Sequence, residues 1–184
     1  MNKELDDKLC KKYPKIFADR YASMQTTCMC WGFDCNDGWY WLIDNLCNTI
    51  QNYIDQNQHL NISQVVATQV KEKFGGLRFY INGGDEHIDG IIWLAESLSY
   101  HICEKCGSTK DVSQTEGWVY TECPDCKFKR ENYGRRQQYL WWVLISPKSG
   151  WFQRRYIFGK ICQKLYNIYK PLTTIKTYLT TFKK

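Results

Sequence analysis

Val66-Ala67-Thr68-Gln69-Val70-Lys71-Glu72-Lys73-Phe74-Gly75-Gly76-Leu77-Arg78-Phe79-Tyr80-Ile81-Asn82 reads as two strands and a turn. Val66, Thr68, Val70 and Glu72 share one parity, Phe74-Gly75-Gly76 interrupts it, and Leu77, Phe79 and Ile81 alternate again. Alternation with period two marks a half-buried strand, and the glycines mark a turn or a bulge. A β-hairpin is expected. Its flanks change period. Upstream, Trp39, Leu42, Ile43, Leu46, Cys47, Ile50, Tyr53 and Ile54 recur at intervals of three and four. They trace one face of a helix from about residue 38 to 56, with Asp37 as its expected N-cap. Downstream, Asn82-Gly83-Gly84 closes the second strand and Asp85 is placed to cap another helix. Ile88, Ile91, Ile92, Ala95, Leu98 and Ile102 keep helical spacing there. Asn2 to Lys12 adds a short polar helix that should stop at Tyr13-Pro14, because the residue before a proline is pushed out of the α region. The expected body over residues 1–102 is α+β: helix, hairpin, helix.

The next segment changes chemistry. Cys103-Glu104-Lys105-Cys106 and Cys123-Pro124-Asp125-Cys126 are two C-x-x-C pairs separated by 16 residues. Two residues between thiols let both sulfurs of a tight turn face one ion, and two such turns complete a tetrahedron. Gly107 supplies the permissive backbone that a knuckle needs, and Trp118-Val119-Tyr120-Thr121 is the β-prone return strand. A zinc ribbon over residues 103–128 is expected, with Cys103, Cys106, Cys123 and Cys126 holding one structural zinc. Four thiolates leave no open position for a reacting water. Iron suits the same four sulfurs. Cys28, Cys30, Cys35 and Cys47 offer a second metal set, but the spacing C-x-C-x4-C-x11-C is irregular and Cys47 lies on an apolar helix face. Packing is the preferred reading for them, as for Cys10 and Cys162. His101 stands near the first pair but is superfluous beside four thiols, and His59 and His87 lie in polar stretches.

Composition removes several classes. With 43% hydrophobic and 24% charged residues in a chain of 184, wholesale disorder is excluded. The longest apolar run is Tyr139 to Ile145, too short to span a bilayer. Met1 to Lys8 has no apolar core, so no secretory signal is expected, and ten cysteines then point to a reducing compartment. No phosphate-binding glycine loop, H-E-x-x-H, G-x-S-x-G or deaminase H-x-E occurs. Asp85, Glu86, His87 and Asp89 are explained by a solvated helix start, and Asp34, Asp37 and Asp44 form only a weak constellation. A non-enzymatic protein without a small-molecule substrate is expected.

The net charge of +6 hides a split. Residues 1–126 carry 11 Lys and Arg against 18 Asp and Glu, whereas residues 127–184 carry 14 against Glu131 alone. That last segment also holds 13 of the 29 aromatic residues. Such asymmetry points to an acidic partner or to packing of the basic segment on the acidic body. Residues 129–184 read as a basic aromatic helical tail. Trp151, Phe158, Cys162, Leu165 and Tyr169 form a stripe at intervals of seven, four, three and four, flanked by Arg154, Arg155, Lys160 and Lys164. Together with Arg135 and Arg136, Trp151 and these four cations are the candidate partner-binding residues. Cations interleaved with Trp and Tyr suit a phosphate backbone with bases stacked on rings. They equally suit an anionic membrane surface.

Three blocks in order, Met29-Cys30-Trp31-Gly32-Phe33-Asp34-Cys35-Asn36-Asp37-Gly38-Trp39-Tyr40, Val70 to Tyr80 and the two C-x-x-C pairs, resemble a family of small uncharacterised bacteriophage proteins. The resemblance covers about residues 13 to 128 and departs at Asn36, where glycine is the family's residue. It implies a viral, intracellular zinc-binding protein of the host cytoplasm with no established activity. The combined expectation is an accessory protein that binds a host protein or another acidic partner, modulating a host enzyme or defence complex. Direct nucleic-acid binding and membrane-surface anchoring are the alternatives.

Overall fold

In the computed structural model, which describes residues 1–133, the chain is mixed α+β. The order is α1 (Lys3–Lys12), β1 (Phe33–Asp34), α2 (Tyr40–Gln56), β2 (Val66–Lys73), β3 (Gly76–Asn82), α3 (Glu86–Ser99), β4 (Ser113–Gln114) and β5 (Thr121–Glu122). Residues 124–133 are also helical. Met1–Arg130 form one compact unit and Glu131–Lys184 a second.

Strands β2 and β3 pair antiparallel from Val66↔Asn82 to Lys73↔Gly76, leaving Phe74 and Gly75 as a two-residue loop. Both have positive φ, 53° and 76°. That is the turn geometry whose twist matches the flanking strands. Gly76 begins β3 rather than turning, and a Cβ there would lie 2.5 Å from the Tyr100 ring. The register slips between Ala67 and Gln69, so Thr68 is an extra residue. This bulge shifts the expected parity. Val65 and Ala67 are buried before it and Val70 after it, while Val66, Thr68 and Glu72 are only half-buried. The Thr68 carbonyl accepts from the Thr27 hydroxyl at 3.1 Å.

Strand β1 completes a sheet of order β1-β2-β3 and runs parallel to β2, pairing Phe33↔Val70 and Asp34↔Lys71. Parallel neighbours need a crossover, and α2 supplies it. Leu42, Ile43, Leu46, Cys47, Ile50 and Ile54 of α2 are buried with Trp39 just before it, the stripe expected from the spacing, with Tyr53 at its margin. The cap differs. Asp37 accepts from the backbone and side-chain amides of Asn2, at 2.7 and 2.8 Å, and α2 is entered through a 3-10 turn over Asp37–Trp39. Asn2 in turn caps α1 by accepting from the Leu5 amide. α1 ends at Tyr13, whose amide donates to the Leu9 carbonyl.

Asp85 caps α3 as expected, accepting from the Ile88 amide at 3.0 Å. Ile88, Ile92 and Ala95 face the core, but Leu98 does not; the buried position is Ser99. The Ser99 hydroxyl accepts from the Leu77 amide and donates to the Glu96 carbonyl, tying α3 to β3. The helix stops there, and Ile102 reaches the core through the following turn. An ion pair between half-buried Arg20 and buried Asp6, at 2.7 Å, fixes the long segment before β1, with Arg20 also donating to the Cys30 carbonyl.

Candidate metal centre

The turn after α3 delivers the first pair of cysteines. The Cys103 amide donates to the Ser108 carbonyl and the Gly107 amide returns to the Cys103 carbonyl, both at 2.8 Å. This doubling back requires φ of +77° at Gly107, a value that glycine adopts without strain. Strands β4 and β5 pair antiparallel, Ser113↔Glu122 and Gln114↔Thr121. The Glu104 amide donates to the Thr121 carbonyl at 3.0 Å, which sets the first knuckle beside the end of β5. Cys123 follows at once. Pro124 opens the helical segment, where its missing N–H is no loss, and the Lys127 amide donates to the Cys123 carbonyl. Cys126 therefore projects from a first helical turn.

The four sulfurs converge, all within 4.8 Å of one another. Cys103, Cys123 and Cys126 are buried and Cys106 is exposed. The donor set fits one tetrahedral ion: metal–sulfur bonds of about 2.3 Å give sulfur–sulfur edges of about 3.8 Å. Cys106 and Cys123 lie 3.6 Å apart, far beyond a disulfide bond. Burial opposes charge at Cys103, yet amides of Cys123, Cys106 and Lys105 donate to its sulfur and lower its pKa to about 7. Burial and neighbouring thiols raise those of Cys106 and Cys126. One thiol is primed to ionise while its neighbours resist, a conflict that a shared cation removes.

Two carboxylates beside the cysteines, Glu104 and Glu122, to which the sequence pattern assigns no role, anchor this centre. Glu104 is 6% exposed, and its Oε1 accepts from the Asn36 amide and from Asn36 Nδ2, both at 2.9 Å. Burial raises its pKa against those donors. Glu122 is 1% exposed and meets Arg130 Nη2 at 2.6 Å. Gly38 donates its amide to the Glu104 carbonyl at 2.8 Å. A Cβ on Gly38 would lie 2.3 Å from the Cys103 oxygen. The Thr121 hydroxyl donates to the Gly75 carbonyl, and Trp39 Nε1 donates to the Ile102 carbonyl. The D-G dipeptide before α2 is the one sequence signal that marks this close approach.

No family model, curated protein or solved structure matches this chain. The reading of the centre rests on its own residues. Among the described residues it is the single group of three or more potential metal ligands that converges. Cys30 donates its thiol to the Thr27 carbonyl, Cys35 and Cys47 are buried, and Cys28 is exposed. His101 is exposed and outside the group, while His87 stacks on Tyr53 at 4.3 Å. Asp37 and Asp44 serve different neighbours, Asn2 and the Lys12–Tyr13 pair. No helix among the described residues is long and apolar enough to cross a membrane. Arg135, Arg136, Trp151, Arg154, Arg155, Lys160, Lys164 and Cys162 lie outside the described residues.

Proposed function

We propose that Cys103, Cys106, Cys123 and Cys126 hold one structural zinc in a zinc ribbon over residues 103–128. The ribbon belongs to a non-enzymatic, intracellular viral accessory protein of the host cytoplasm. The observation that carries the metal reading is the closed donor set, four converging sulfurs with three of them buried. Bound zinc supplies charge neutralisation and a cross-link between the two turns. Asn36, Gly38 and Thr121 transmit that constraint to the body through Glu104.

The protein's task in this reading is to bind an acidic partner through its basic helical extension, where 14 cations face one acid over residues 127–184. Each phosphate or carboxylate contact releases counterions, so binding falls steeply with salt. Reversing Arg154, Arg155, Lys160 and Lys164 to Glu tests this against DNA, RNA and anionic and neutral vesicles. Polyanion binding should collapse while metal content and thermal unfolding stay unchanged. A reversed variant that still binds every polyanion sinks the reading. Trp151→Ala then separates the partners: lost stacking weakens single-stranded nucleic acid, lost insertion weakens vesicles, and a host protein leaves both probes weak.

A further inference from the structure

Helix α3 is apolar on two sides. Ile88, Ile92 and Ala95 face the core, while Trp93, Leu94 and Leu98 are 71%, 54% and 45% exposed on the outside. At the helical period, Glu86, Gly90, Trp93, Leu94 and Ser97 share that outer side. Gly90 leaves it open, since a Cβ there would meet nothing within 4 Å. The neighbouring α2 exposes Asn45, Asn48, Thr49, Asn52 and Gln56, with Trp41, 67% exposed, as the one large apolar residue among them. Three exposed apolar side chains grouped on one helix mark an interaction site.

The charged residues of α3 and its cap have one sign, with Arg78 of β3 a cation beside Glu96. No Lys or Arg occurs between Arg78 and Lys105, while Asp85, Glu86, Asp89 and Glu96 all belong to α3 or its cap. Asp85 is engaged as the cap, and Glu96 lies 3.7 Å from Arg78. The carboxylates of Glu86 and Asp89 have no ion-pair partner among the described residues. The helix is about 21 Å long; its exposed apolar residues cover about 8 Å of the C-terminal half and the carboxylates of Glu86 and Asp89 stand on its first turns, a layout that matches a helix laid along it.

We infer that the outer face of α3 docks a cationic amphipathic helix of a partner protein. Trp93, Leu94 and Leu98 receive its apolar stripe, and Glu86 and Asp89 receive its lysines or arginines. The carboxylates of this site carry charge opposite to that of residues 127–184.

The test uses the full-length chain and a fluorescently labelled amphipathic peptide of leucine and lysine, with a leucine–glutamate peptide of the same apolar pattern beside it. The lysine peptide should bind at least ten-fold more tightly than the glutamate peptide. Trp93→Ala combined with Leu98→Ser should weaken it on the order of ten-fold or more. Glu86→Lys combined with Asp89→Lys should weaken it several-fold and flatten its salt dependence. Metal content of these surface variants should match the parent chain, and thermal unfolding should shift only by the small helix-end cost of reversing Glu86 and Asp89. Equal binding of the two peptides, or indifference to both double variants, overturns the inference. So does a chain that accepts the peptide only after Arg154, Arg155, Lys160 and Lys164 are reversed, which makes its own tail the occupant. A dimer dissociated by Leu98→Arg assigns the face to a second copy and also overturns it.

Discussion

Two sets of four cysteines in this chain have opposite fates. Cys103, Cys106, Cys123 and Cys126 converge on one point, whereas Cys28, Cys30, Cys35 and Cys47 scatter over a 3-10 turn, the end of β1 and the buried face of α2. The difference is one of backbone. Cys103 and Cys106 sit in a turn that doubles back at Gly107 with amides directed at Cys103, and Cys123 and Cys126 sit in the first turn of a helical segment, so the two sulfurs of each pair share a side. Cys47 is held by a helix whose packing fixes its direction, and Cys30 uses its thiol on the Thr27 carbonyl. Spacing within turns brings thiols together; count alone does not.

The contrast breaks most severely at the first set. Cys106→Ser should remove the metal and the cooperative folding of residues 100–128, because this segment has little apolar core beyond its own cysteines and Val112. Metal analysis of protein purified under reducing conditions, with hydrogen exchange over that segment, reads the loss. A Cys106→Ser chain that retains the ion and its protection would show that three sulfurs suffice. The equivalent change at exposed Cys28 should leave both measurements unchanged.

Next in size is the face that holds Cys47. Leu46→Asp places an unpaired charge in the core beside it and should destabilise the chain by about 4 kcal/mol or more. Asn48→Asp, one residue beyond Cys47 on the exposed side, should shift stability by under about 0.5 kcal/mol. Equal losses in urea unfolding would mean that α2 buries a different face, and with it a different cysteine environment.

These faces are legible in the sequence because they are local. The stripe of α2, the cap of α3, the existence of the hairpin and the two C-x-x-C pairs each belong to one continuous segment, although the turn falls at Phe74-Gly75 and not at the two glycines. What escapes the sequence depends on distant partners. β1 is two residues long and exists through pairing with Val70 and Lys71. The bulge at Thr68 reverses the burial parity because the Thr27 segment packs there. Leu98 yields its core position to Ser99 because the Leu77 amide needs an acceptor. Glu104 looks like a spacer until Asn36, 68 positions earlier, is brought against it.

The two regions meet at Gly38, where a third substitution sharpens the contrast. A Cβ there would lie 2.3 to 2.5 Å from the Cys103 oxygen, the Glu104 oxygen and the Gly107 nitrogen, all backbone atoms that cannot swing away. Gly38→Ala should therefore cost about 2–3 kcal/mol and speed metal loss to a chelator, although no ligand is touched. Unchanged chelation kinetics would show that the cysteine turns hold their ion without support from the body.

The smallest effect separates the two sets by pH, with opposite signs. Burial raises Cys35 from 9.0 to about 12 and Cys47 well above 9.0. Both remain thiols in the fold while the unfolded chain ionises near 9.0, so their contribution is fully present below 9 and is lost as pH rises from 9 towards 12. The metal-binding set behaves inversely. Its sulfurs are thiolates when metal is bound, so protons compete as pH falls and stability drains on the acid side. Urea unfolding of the metal-loaded chain against pH should then show two limbs. Replacing Cys35 and Cys47 by Ala should make the alkaline limb shallower and leave the acid limb, whereas Cys106→Ser should do the reverse wherever folding survives. Cys10, which burial raises from 9.0 to about 12, and Tyr13, whose phenol burial raises above 10.0, keep a residual alkaline slope in both variants, so the decisive reading is the loss of slope from pH 9 upward. An alkaline limb unchanged there in the Cys35, Cys47 double variant would mean that the scattered thiols ionise as readily in the fold as outside it, and the division between the two sets would fail.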